Sequence, residues 1–237
     1  NTFYSVRCDV GGEEPLDLSS IEEILTAKVT SKVLPPFQES DETLLLYISD
    51  SHIGMDVAKD SQFVSGWNKE MFQERLTKSL ELVKPHQKVI VCLMGDMIDS
   101  VKKQTSRGGH DLPSNLSDKE MFRTFIQSFQ VYFESLSNLT SNFEIYCVGE
   151  DNHVGHYQAI LCESLKLWVN ARFPSIKMEV FDKFIGHFTT VSNNVEHTFM
   201  LCHGKDAQNM KGNLPKILSA QAEMKITNYM IQNNIPL

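Results

Sequence analysis

The chain has 237 residues, 41% of them hydrophobic and 22% charged, with 30 acidic against 22 basic side chains and a net charge of −8. Such values describe a folded α/β-sized unit and exclude a disordered chain, a membrane span built on about 20 apolar residues, and a protein that coats nucleic acid by bulk positive charge. The five cysteines, Cys8, Cys92, Cys147, Cys162 and Cys202, contain no Cys-x-x-Cys pair, which argues against a disulfide framework or a zinc knuckle and fits a reducing, cytoplasmic compartment without membrane attachment.

Residues 1–40 combine mixed charge, a short helical pattern from Ile21 to Leu25 and the breaker Pro35-Pro36. They read as an N-terminal arm or the tail of a preceding segment of a larger chain or complex, with the main domain over 41–237. In that domain short apolar runs alternate with longer amphipathic ones. Leu44 to Ile48, Val89 to Met94 and Phe143 to Val148 are expected to be buried strands, because continuous apolar runs of this length suit a sheet covered on both faces. Between the first two, Phe72, Leu76, Leu80 and Val83 share one helical face ahead of Pro85. In the next gap Ser117 and Glu120 form a capping-box pattern before Phe122, Phe125, Ile126, Phe129, Phe133 and Leu136. The stretch from Ser100 to Ser117 has no periodicity and is too long for an ordinary connection, so it reads as a functional loop. After Pro174 three β-rich runs, Ile176 to Phe181, Phe184 to Val191 and Glu196 to Leu201, predict a second sheet, and a last helix is expected from Ser219 to Gln232.

The polar residues that interrupt this pattern fall at strand ends. The first strand runs into Ser49-Asp50-Ser51-His52, the second into Gly95-Asp96-Met97-Ile98-Asp99, the third into Gly149-Glu150-Asp151-Asn152-His153, and a later one into Cys202-His203-Gly204. Sites in α/β sheets form at the carboxyl ends of strands, and Asp, His and Asn together suit Mn, Fe or Zn better than Ca or Mg alone. Two cations held close together need a bridging carboxylate, and such pairs serve phosphate-ester hydrolysis.

In this order, Asp-x-His, Gly-Asp-x-x-Asp, Asn-His and a later His resemble the calcineurin-like metallophosphoesterases over Leu44 to Asp206. The resemblance implies an α/β fold, a four-layer αββα sandwich of two mixed sheets flanked by helices. It implies two divalent metal ions, Mn²⁺ first, with Fe, Zn or Mg as alternatives. Asp50 and His52 would hold one, Asn152 and His203 the other, and Asp96 would bridge them. His153 would be the general acid for the leaving-group oxygen, and Asp99 a carboxylate that orients it or a ligand histidine. The implied reaction is hydrolysis of a phosphodiester by direct attack of a metal-bound hydroxide. Substrates in the family span DNA, nucleotides and phosphoproteins, and Tyr47 to Gly54 is closest to its nuclease-like branch.

The chain departs from the pattern in two places. Glu150 and Asp151 are inserted after Gly149, with Val154 where the family has an acid, which brings in His156 as a substitute acid; and no histidine follows His203, although the family closes with Gly-His-x-His. The expectation is that the chain stops before that motif. The alternatives are a phosphomonoester or phosphoprotein phosphatase, or a decayed phosphoesterase core serving as an interaction module. Arg107 and His110, beside Lys102 and Lys103, are candidate substrate contacts on the long loop. His86, His187 and His197 read as ordinary surface or sheet residues, and Trp67 and Trp168 as packing residues.

Overall fold

A computed structural model describes residues 29–36, 42–57, 66–85, 87–106, 108–112, 114–203 and 220–235. In chain order these form β1 (Thr43–Ile48), α1 (Lys69–Ser79), β2 (Lys88–Leu93), α2 (Asp118–Leu139), β3 (Phe143–Val148), α3 (Tyr157–Arg172), β4 (Lys177–Phe181), β5 (Ile185–Ser192), β6 (Val195–Cys202) and α4 (Ala220–Gln232). β1 to β4 make a parallel sheet in the order β1-β2-β3-β4, and β5 and β6 an antiparallel ribbon.

Spatial order that follows chain order has a consequence. Right-handed crossovers then all pass on one face of the sheet, so α1, α2 and α3 cover one side only. On that side Val89, Val91, Leu93, Phe143 and Ile145 pack with Phe72, Phe125, Phe129, Phe133 and Leu165. The alternate residues Ile90, Cys92, Tyr146 and Val148 face the other way and are covered by Phe188 and Leu201 of the ribbon, with Tyr146 and Phe188 stacked at a centroid distance of 4.2 Å. Burial on both faces is why these strands are apolar without alternation. The described cysteines form no disulfide, and burial pushes the Cys92 thiol up to about 12, so it is inert at neutral pH.

Local signals set the helix ends. Asn68 accepts the Met71 N–H at 2.9 Å to start α1, whose Phe72 and Leu76 are buried before the chain tightens into a 3-10 turn at Leu80–Leu82. Ser117 and Glu120 form the reciprocal capping box of α2. The ribbon turns at Asn193-Asn194, both at positive φ, as a tight hairpin requires.

The expectation that Ile176 to Phe181 joins the second sheet is corrected: α3 carries the chain back across the sheet, so β4 lies parallel to β3 as the last strand of the first sheet. Among the described residues only β5 and β6 form the second. α4 meets the ribbon through Tyr229, whose hydroxyl is 2.9 Å from His187 Nδ1. Of the N-terminal arm, residues 1–28 and the Ile21 to Leu25 pattern lie outside the described residues, as does His86. Residues 29–36 run beside the C-terminal ends of α2 and α3, where the Lys32 ammonium donates to Ser137 Oγ at 2.6 Å and Asn138 Oδ1 at 2.8 Å. Among the described residues no helix is long and apolar enough to cross a membrane.

Candidate metal centre

The turns that follow β1 and β2 lie side by side and prolong the strand pairing. Asp50 N–H donates to Gly95 O, His52 N–H to Asp96 O and Ile53 N–H to Met97 O, at 3.2, 3.0 and 3.1 Å. Asp50, His52 and Asp96 all adopt positive φ, at 53°, 40° and 52°. Left-handed backbone is costly for residues with a Cβ, and three such residues on two adjoining turns mark a place where structure holds side chains against local preference. Gly95, at φ 101°, permits a close approach: a Cβ there would stand 2.6 Å from His203 Nδ1.

Asp96 is 4% exposed and sits at the middle of the cluster. Its Oδ2 is 3.9 Å from both His52 Nε2 and His153 Nε2, while its Oδ1 is 3.3 Å from His203 Nε2. The two oxygens of one carboxylate thus face two different sets of nitrogens. Atoms bound at about 2.1 Å to a shared cation stand roughly 3 to 4 Å apart, so these separations suit ligands around an ion. His52, Asp96 and His153 together form a group able to hold one.

The histidines are oriented for this. His203 Nδ1 lies 2.8 Å from Met94 O and His153 Nδ1 2.6 Å from Asp99 O. A carbonyl can only accept, so each Nδ1 carries a proton and each ring turns its Nε2 toward Asp96. His203 Nε2 is also 2.9 Å from Asn152 Oδ1 as oriented here, which places the Asn152 amide beside it. Three buried atoms, His52 Nδ1, Asp96 Oδ1 and Asp99 Oδ1, make no hydrogen bond. Unsatisfied buried polar atoms are expensive, and their convergence fits cations as the missing partners.

Electrostatics follow from this crowding. Hydrogen bonding to His52 holds the Asp50 carboxyl down at about 2. Burial opposes the charged form of His52, but Asp50, Asp96 and Asp99 outweigh it and raise its pKa. His203 is likewise opposed by burial and raised by Asp96 and Asp151. Asp99 accepts from Ser114 Oγ and faces His52 Nδ1 at 3.7 Å and His153 Nδ1 at 4.0 Å. Asp50, with a side chain 64% exposed, stands at the rim, 3.8 Å from His52 Nε2.

Asp50, His52, Asp96, Asp99, Asn152, His153 and His203 are therefore brought together from four segments. The long loop leans on them: Ser106 N–H donates to His153 O at 2.7 Å and Asn115 N–H to Gly54 O at 2.9 Å. His110 is not among them; it is exposed on the loop, paired through its backbone with Thr105. Arg107 and Gly204 lie outside the described residues. His156, exposed, lines a pocket of about 400 Å³ with His153, Lys102 and Tyr157. Val154, 2% exposed, belongs to the apolar core.

Sequence reasoning missed Asp151, seen only as an insertion. Its side chain is fully buried and accepts four backbone N–H groups: Asp96 on Oδ2 at 2.8 Å, and His153, Val154 and Gly155 on Oδ1 at 3.0, 2.7 and 3.2 Å. Burial and the neighbouring Asp96 charge push its carboxyl up, against the pull of those N–H groups. The findable signal was an Asp followed by Asn-His-Val-Gly, a side chain placed to cap its own turn.

Comparison with protein-family models, with curated proteins and with solved structures gave no match for this chain.

Proposed function

We propose that this chain is a dinuclear metal-dependent phosphoesterase of the calcineurin-like kind, acting on phosphodiesters. The observation that carries the reading is Asp96, whose Oδ2 faces His52 and His153 and whose Oδ1 faces His203 beside Asn152. In this reading Asp50 and His52 would hold one cation and Asn152 and His203 the other, with Asp96 placed to serve both. In the same reading the α1–α3 layer, the parallel sheet, the ribbon and α4, which meets the ribbon at Tyr229 and His187, would be the four layers of an αββα sandwich.

A pair of divalent cations, Mn²⁺ by the donor set, supplies neutralisation of phosphoryl charge and an acidified water. The protein's own part is positional. Asp99 O fixes the His153 ring through Nδ1, so a proton at His153 Nε2 is aimed at an oxygen leaving from phosphorus near Asp96. Ser114 holds Asp99 in turn.

A diester suits the surroundings better than a monoester because the centre opens on two sides. One side is a cleft of about 490 Å³ reaching Asp50 and His52; the other is the pocket beside His153, with Lys102 on its wall. Two substituents on phosphorus can each find room. The test is hydrolysis of bis(p-nitrophenyl) phosphate against p-nitrophenyl phosphate with Mn²⁺. The reading expects Mn²⁺-dependent cleavage that favours the diester and falls by about 10²-fold or more in His153→Gln. Cleavage of the monoester or a phosphopeptide alone, or of neither ester, overturns it.

A further inference from the structure

We infer that the cleft beside β1 is a nucleobase subsite, with Trp67 as its stacking platform and Arg75 as its cationic wall, so that the diester is a nucleotide one. The inference rests on the phosphodiesterase reading for the position of phosphorus and on the cleft itself for the base. The cleft has a volume of about 490 Å³ and runs from Asp50 and His52 along β1 to α1, with Tyr47, Trp67 and Arg75 among its lining residues, a size in the range of small-ligand sites.

Trp67 does more than pack. Its indole N–H donates to Ser51 O at 2.9 Å, the residue between Asp50 and His52, so the ring is fixed relative to the metal-type side chains. The Arg75 guanidinium lies 4.9 Å from the indole centroid and forms no ion pair with a described carboxylate, which leaves its charge for a ligand. The guanidinium lies over the indole face, so the two together present a flat cationic surface, not engaged by a described carboxylate, that can hold a base and its phosphate without reading sequence.

The third wall is polar backbone. β1 is an edge strand among the described residues. Ile48 O and Asp50 N–H are engaged with Met94 and Gly95 of the β2 side, so the main-chain groups of the alternate residues Tyr47 and Ser49 turn toward the cleft. Donors and acceptors in one plane match the edge of a base. An extended peptide could pair there as well, and the phosphotyrosine peptide in the titration tests that occupant.

Only two tryptophans occur in the chain, and Trp168 packs on Phe173 away from the cleft, so Trp168→Phe leaves Trp67 as the sole indole reporter. This protein is titrated in EDTA with a short oligothymidylate, an abasic strand of equal length and a phosphotyrosine peptide. Saturable quenching by oligothymidylate, weaker by about tenfold for the abasic strand and in Arg75→Ala, supports the subsite. Absence of quenching, equal quenching by the abasic strand, or quenching by the peptide alone overturns it. Quenching without hydrolysis of bis(p-nitrophenyl) phosphate leaves the subsite standing and removes the enzymatic reading; hydrolysis without quenching does the reverse.

Discussion

The buried carboxylate of Asp151 accepts the backbone N–H of Asp96 at 2.8 Å, joining the turn after β2 to the turn after β3. Through its other oxygen the same carboxylate holds the backbone of His153, Val154 and Gly155. One side chain thus sets the spacing between the Asp96 carboxylate and the His153 ring.

Asp151→Asn keeps an oxygen for the His153 turn but sets an amide N–H against the N–H of Asp96. The variant is expected to lose about 1 to 3 kcal/mol in urea unfolding, and to bind Mn²⁺ more weakly because Asp96 is released. Unchanged stability and metal affinity would show that the hydrogen bond to Asp96 N–H is dispensable.

Gly95→Ala tests the close approach behind Asp96. A methyl at φ 101° would stand 2.6 Å from His203 Nδ1 and 3.1 Å from Asp151 Cβ, so His203 must leave its Met94 anchor. The expected cost is about 2 kcal/mol or more, with one of two bound metals lost by elemental analysis. Full metal content in the variant would place His203 outside the centre.

Proton competition gives the pH dependence. His52 and His203 have folded-state pKa values raised above the ordinary 6.5, so in metal-free protein their contribution to stability is full below about pH 6.5 and is lost as pH rises through the folded values. Asp50, lowered from 3.8 to about 2, contributes above pH 3.8 and loses that contribution as pH falls through about 2. Metal binding needs the neutral imidazoles, so Mn²⁺ affinity is expected to fall by about tenfold or more between pH 7.5 and 5.5. Calorimetric titration at the two values checks this; equal affinities would remove both histidines from the ligand set.

Much of this was legible from residue order. The runs at Val89 and Phe143 are strands because a parallel sheet buried on both faces favours apolar side chains, the run at Leu44 forms the edge strand with Leu46 alone buried, and Ser117 with Glu120 starts α2 because orphan N–H groups need acceptors. The ligand-type residues were visible because polarity breaks those runs at their carboxyl ends. What stayed hidden depends on contacts distant in sequence. β4 carries the same apolar signal whichever sheet it joins, and only the α3 crossover decides. Asp151 acts on Asp96 across 55 positions. Trp67 packs against the core as expected, but its bond to Ser51 O and its contact with Arg75 leave no periodic trace.

The central claim is that Asp96 bridges two cations, and the most direct measurement is elemental analysis after Mn²⁺ saturation and desalting, for the native chain and Asp96→Asn. The account predicts close to two Mn²⁺ per native chain and at most one in the variant, with folded secondary structure kept in both by circular dichroism. No retained metal in the native chain, or two in Asp96→Asn, would contradict it.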